Sequence, residues 1–97
     1  MKPSEVIKIV EDVTGISLDD MKKRKPVTNL FARYSAMLLM VSECAANDAV
    51  ISQYFAIGPG NVRNALMTAD SLLQTNKTFK KIFMSCMGKL TEMEDAA

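Results

Sequence analysis

The stretch Asp48-Ala49-Val50-Ile51-Ser52-Gln53-Tyr54-Phe55-Ala56-Ile57-Gly58-Pro59-Gly60-Asn61-Val62-Arg63-Asn64-Ala65-Leu66-Met67 decides how the chain reads. Its middle, Ala56-Ile57-Gly58-Pro59-Gly60, joins two glycines to a proline and so marks a tight turn between two helical patterns. Helices that cross closely over about 20 residues impose a pattern on their side chains. Apolar residues must recur on both inner faces, a small residue must sit where the second helix crosses the first, and another must permit the turn. Ile51, Phe55, Ile57, Val62 and Ala65 fill the inner positions, Ser52 is the small crossing residue, and Ala56 stands at the turn. Glycine is usual there because it tolerates positive φ, so Ala56 is a mild departure. Pro59 suits the first turn of the second helix, where its missing N–H is harmless, with Gly58 as the N-cap.

This register predicts a helix-turn-helix at about 48–75, with Gly60, Arg63, Asn64 and Met67 facing outward and Asn61 beside them. Arginine can fork onto guanine O6/N7, and asparagine can pair with adenine N6/N7. Gly58 and Gly60 would let backbone amides approach a phosphate at the helix N-terminus. An αα-hairpin with an ordinary polar surface fits the same pattern.

Working outward, helical signals cover the rest. Val6, Ile9, Val10 and Val13 keep the 3.6 period, with Pro3 and Ser4 ahead of them and Gly15 as a stop. Ser17-Leu18-Asp19-Asp20 reads as a capping-box-like start to a short second helix that turns Leu18 and Met21 inward and ends before Pro26. Thr28 or Asn29 is expected to cap a long third helix through about Ala46, with Leu30, Tyr34, Met37, Leu38 and Val41 on its apolar stripe. Asn47 or Asp48 caps the fourth. After Asn76, Phe79, Ile82, Phe83, Cys86 and Leu90 form a last stripe, and the acidic tail, 91–97, is expected to fray after Met93. No period-two alternation, internal repeat or low-complexity tract appears. The expected fold is all-α, one compact bundle of about six helices.

At 97 residues, with 48% hydrophobic and 24% charged, the chain has the size and composition of a single globular domain. Histidine is absent, which removes imidazole acid/base catalysis, Ser-His and Cys-His pairs and imidazole zinc sites. Cys44 and Cys86 are too few for a thiolate zinc cage and read as reduced, buried thiols. Asp19-Asp20 and Glu92/Glu94 have no nucleophile or base beside them, so no enzyme, metal or cofactor is expected. The longest apolar stretch, 36–41, is too short to span a bilayer, and no signal or transit peptide is visible. A cytoplasmic protein without a membrane partner is expected.

The net charge of +1 conceals blocks of opposite sign. Residues 21–42 hold Lys22, Lys23, Arg24, Lys25 and Arg33 with no acid, and residues 77–89 hold Lys77, Lys80, Lys81 and Lys89, again with none. Acids gather in 1–20, in 43–76 and in the tail. A basic loop that leads into the helix before a helix-turn-helix suits a phosphate-tracking or minor-groove element. The Lys77 to Lys89 block can equally be a solvated face.

The order of elements resembles the C-terminal DNA-binding domain of the bacterial replication initiator DnaA, domain IV, whose fold is similar to that of the Trp repressor. The resemblance covers about residues 4–90. Val10-Glu11-Asp12-Val13-Thr14-Gly15-Ile16-Ser17-Leu18-Asp19-Asp20-Met21 resembles that family's opening helix, its turn and Ser-x-Glu-Asp-Leu; Lys22 to Lys25 resembles its basic loop; and Ala32-Arg33-Tyr34-Ser35-Ala36-Met37-Leu38-Leu39 resembles Ala-Arg-Gln-x-Ala-Met-x-Leu. Ile51-Ser52-Gln53-Tyr54-Phe55 and Asn61-Val62-Arg63-Asn64-Ala65 resemble Ile-Gly-x-x-Phe and Thr-Val-x-His-Ala. The resemblance implies that Arg33 contacts the DNA backbone, that one of Lys23, Arg24 or Lys25 enters the minor groove, and that Asn61 contacts the major groove. The chain departs from the family where Gly-Gly-Arg-Asp-His-Ser/Thr-Thr-Val becomes Ala56-Ile57-Gly58-Pro59-Gly60-Asn61-Val62, without the base-reading Arg-Asp-His, and where Tyr34 replaces Gln. No Gly-x-x-x-x-Gly-Lys-Ser/Thr is present, so the initiator's ATPase is not in this chain.

These readings predict a double-stranded DNA binder, either sequence-specific or general, serving replication initiation or its regulation, of a kind carried by a mobile element or phage. Its expected contacts are Lys22, Lys23, Arg24, Lys25, Arg33, Gly60, Asn61, Arg63, Asn64 and Met67. The alternative is a protein-protein interaction module that kept the scaffold and lost its DNA reading. The acids Glu43, Asp48 and Asp70 around the motif and the eight methionines favour that alternative.

Overall fold

A computed structural model describes residues 1–96. The described residues form six α-helices and no strands, as the periodicity predicts: α1 Pro3–Thr14, α2 Leu18–Met21, α3 Val27–Cys44, α4 Asp48–Phe55, α5 Pro59–Thr75 and α6 Lys77–Ala96.

Local chemistry sets most of the boundaries. The Glu5 carboxylate accepts from the Lys2 backbone N–H at the start of α1, and Gly15 ends that helix in the left-handed region at φ 71°. Ser17 Oγ caps α2 by accepting from the Asp20 N–H, and Asn47 Oδ1 caps α4 by accepting from the Val50 N–H. Asn76 Oδ1 does the same for α6 through the Phe79 N–H at 2.9 Å.

Helix α3 begins earlier than expected. Pro26 is its N-cap, and neither Thr28 nor Asn29 caps it. The buried Asn29 amide instead donates to the Lys25 carbonyl and ties the basic loop to the helix. The helix ends at Cys44, two residues short of the expected boundary, because Ala45 turns left-handed at φ 50°. At the other terminus α6 continues to Ala96, so the expected fraying past Met93 is not seen among the described residues; Ala97 lies outside them.

Helix α3 is the centre of the bundle, packed by α1, α2, α4, α5 and α6. Its buried face is therefore wider than one stripe: Phe31, Ala32, Ser35, Ala36, Met37, Leu39 and Met40 are all enclosed. Val41, expected to point inward, is 43% exposed, and Leu30, Tyr34 and Leu38 are half-buried. A helix contacted from several sides buries residues by position, and a 3.6 period does not single them out.

The main core joins Val6, Ile9 and Val10 of α1 and Met21 of α2 to α3, Ile51 and Phe55 of α4, Val62 of α5, and Cys86 and Leu90 of α6. A smaller cluster gathers Phe31, Ala69 and Phe79, with the Phe31 and Phe79 ring centroids 5.5 Å apart. Cys44 is half-buried and Cys86 buried, both as free thiols. Burial pushes both thiols up, that of Cys86 to about 11.

Candidate functional site

The turn between α4 and α5 is built as its sequence predicts. Ile51, Phe55 and Val62 are buried at the helix crossing, while Ile57 and Ala65 are half-buried. Ala56 takes the left-handed conformation at φ 55°, the position where glycine is usual. Ser52 secures the turn from two sides. Its carbonyl accepts from the Ala56 and Ile57 N–H groups, and its hydroxyl donates to the Ile57 carbonyl at 2.6 Å. Gly58 is the N-cap of α5 and Pro59 its first residue.

This turn sets the rotation of α5. Val62 and Ala69 point into the bundle, and the opposite side of the helix is open. At 3.6 residues per turn, the exposed arc runs in the order Asn61, Asn64, Gly60, Met67, Arg63. All five residues expected to face outward do so. Met67 is 68% exposed at the middle of the arc. At its far edge Arg63 Nη2 lies 3.6 Å from Asp48 Oδ2 at the start of α4. Arg63 is thus held by a carboxylate in the unbound protein, a contact the sequence reading did not include.

At the near edge of the arc, α5 meets α3 and the basic loop around a cleft of about 240 Å³. It is lined by Arg24, Arg33, Tyr34, Ile57, Asn61, Asn64, Ala65 and Thr68. The cleft unites four of the expected site residues, Arg24, Arg33, Asn61 and Asn64, drawn from three separate parts of the chain. Tyr34 and Thr68 were not expected there. Thr68 was legible, since 61, 64, 65 and 68 share one helical face. Tyr34 was not, because its place follows from packing its ring edge-on to Phe79 at 6.4 Å.

Arg33 is the unusual member. It is 7% exposed, its Nε has no hydrogen-bond partner, and no carboxylate of the described residues lies within ion-pair distance. Desolvation lowers its pKa from the ordinary arginine value; Tyr34 opposes that change and the Arg24 charge adds to it. A guanidinium remains charged nonetheless. The cleft therefore presents a partly desolvated positive charge beside a second arginine, a combination that an anion would complete.

The remaining basic-loop residues stand outside the cleft. Lys22 and Lys23 are paired with Asp19 and Asp20 at 3.7 and 3.1 Å, whereas Lys25 is exposed without an ion pair among the described residues. Exposed pairs of this kind contribute little and are easily exchanged. Among the described residues no group of acidic or cysteine side chains could hold a metal ion, and no helix is long and apolar enough to cross a membrane. Compared with known proteins, the chain matches no family model, no curated protein and no solved structure.

Proposed function

We propose that this domain binds double-stranded DNA, with the exposed arc of α5 in the major groove and one backbone phosphate at the Arg24/Arg33 cleft. The observation that carries this reading is Arg33, a largely buried arginine whose Nε has no partner and which has no carboxylate nearby among the described residues, lining a cleft rimmed by Asn61 and Asn64 of the same arc. A partly desolvated guanidinium without a counter-ion is a favourable place for an anion. Phosphate suits the guanidinium fork, and its position beside α5 would fix the register of that helix on the duplex. Lys22, Lys23 and Lys25 would follow the adjacent backbone or minor groove. The motif likeness to the initiator's C-terminal domain agrees with this role, in replication initiation or its regulation. With that family's Arg-Asp-His missing, base reading would fall to Asn61, Arg63 and Asn64.

The alternative, a protein-interaction surface, draws on one observation, the exposed Met67 at the middle of the arc. Fluorescence anisotropy with duplex DNA at about 50 mM salt and above tests the DNA reading. Binding that weakens steeply with salt is expected; no binding at the lowest salt, or affinity indifferent to salt, refutes it. Met67→Lys separates the two readings, because an added charge strengthens contact with DNA and spoils an apolar contact with protein.

A further inference from the structure

The last helix carries a charge pattern that opposes its own dipole. Lys77, Lys80 and Lys81 crowd the N-terminus of α6, where the helix is partially positive, and its first turn has no acid. Glu92, Glu94 and Asp95 crowd the C-terminus, where the last turn has no base. None of these residues forms an ion pair within the chain among the described residues. Both ends of the helix are thus electrostatically unfavourable in the isolated domain.

The outer face of α6 shows what would offset this. Positions 77, 81, 84, 88, 91 and 95 recur at alternating spacings of four and three, the seam of a paired helix, and all six are exposed. Met84 is 56% exposed, and nothing lies within 4 Å of the place a Cβ would occupy on Gly88. Among the residues whose burial is described, Leu90 is the last buried one of the helix, and 91–95 are all exposed.

We infer that α6 pairs with the α6 of a second copy of this chain, antiparallel about a two-fold axis that crosses the exposed seam midway between Met84 and Gly88. In this register Met84 seats over the partner's Gly88, Lys77 faces the partner's Asp95, and Lys81 faces the partner's Glu92. Every contact occurs twice, as a two-fold axis requires. A second copy is the occupant because the helix is complementary to itself: reversing it places its basic half against its acidic half. A single helix face lies at the small end of interface sizes, below about 1,200 Å², so the dimer is reversible. The α6 seam is separate from the Arg33 cleft and does not depend on the DNA reading.

Sedimentation velocity across a concentration series tests this. The weight-average mass of the full chain should climb from 10.7 kDa towards twice that value between about 10 μM and 1 mM, less steeply in high salt. Lys77→Glu/Lys81→Glu should raise the dissociation constant about tenfold or more, and so should Glu92→Lys/Asp95→Lys, because each sets like charges opposite one another. Both changes favour the helix's own dipole, so loss of the dimer cannot be assigned to unfolding. Mixing the two double variants should restore association, and the chain carrying all four substitutions should dimerise with itself. A wild-type chain that stays monomeric to 1 mM, charge reversals without effect, or a mixture that fails to associate would each overturn the inference.

Discussion

Arg33 and Cys86 show how much a single side chain owes to its surroundings. Burial of the Arg33 Nε without a hydrogen-bond partner costs folding free energy, so Arg33→Met should leave stability unchanged or raise it by up to about 2 kcal/mol, read by urea unfolding. The same substitution should weaken duplex binding about tenfold or more. A loss of several kcal/mol with no change in binding would make Arg33 a structural residue. For Cys86 the sign follows from burial. Burial pushes its thiol up to about 11 from the ordinary value of 9.0, so between those pH values the unfolded chain holds fewer protons at this site. The stability tied to this thiol is therefore fully present below about pH 9 and is lost as pH rises towards 11, by an amount on the order of 2 kcal/mol. Urea midpoints at pH 8 and pH 11 compared between the wild-type chain and Cys86→Ala check this, since the variant should lack that part of the decline.

At the scale of elements, the turn joining α4 to α5 combines strain with a hydrogen-bonded clasp. Ala56 occupies a conformation that costs an L-residue roughly 1 kcal/mol, and the Ser52 bonds hold it there. Ala56→Gly should raise stability by about 0.5–1 kcal/mol, seen as a higher melting temperature with unchanged helicity. A destabilised variant would mean that the alanine methyl contributes packing. The Arg63 to Asp48 pair spans the same two helices and competes with any ligand for the guanidinium. Asp48→Asn should therefore strengthen duplex binding severalfold at low salt, with little change in stability because the Arg63 side of the pair is largely exposed. Equal affinity for the two proteins would show that Arg63 takes no part in binding.

Across the whole molecule, charge is segregated although the net value is only +1. Arg24 and Arg33 meet at the cleft, with Lys22, Lys23 and Lys25 in the adjoining loop and Asp19 and Asp20 of α2 beside Lys22 and Lys23. On the proposed function, contact with DNA would be confined to one face and to few phosphates. If two to four are neutralised, the logarithm of affinity should fall against the logarithm of salt with a slope of about −2 to −4. A slope near −8 in a titration series would require the Lys77 to Lys89 block to join the interface.

Much of this architecture is written in local signals. Ser17, Asn47, Gly15 and the Gly58-Pro59 pair place helix ends because caps and turns act over three or four residues, within reach of the sequence itself. The outward arc of α5 was legible for the same reason, since Val62 and Ala65 define the inner face and 3.6 residues per turn assigns the rest. Sequence alone therefore determined an all-α chain of six helices and the side chains that α5 shows to solvent. Tertiary packing decided what those side chains meet. The burial of Arg33, the exposure of Val41, the meeting of Arg24 with Asn61 and the capture of Arg63 by Asp48 depend on which helix covers which face of α3. Those contacts join residues far apart in the chain, where local periodicity has no reach.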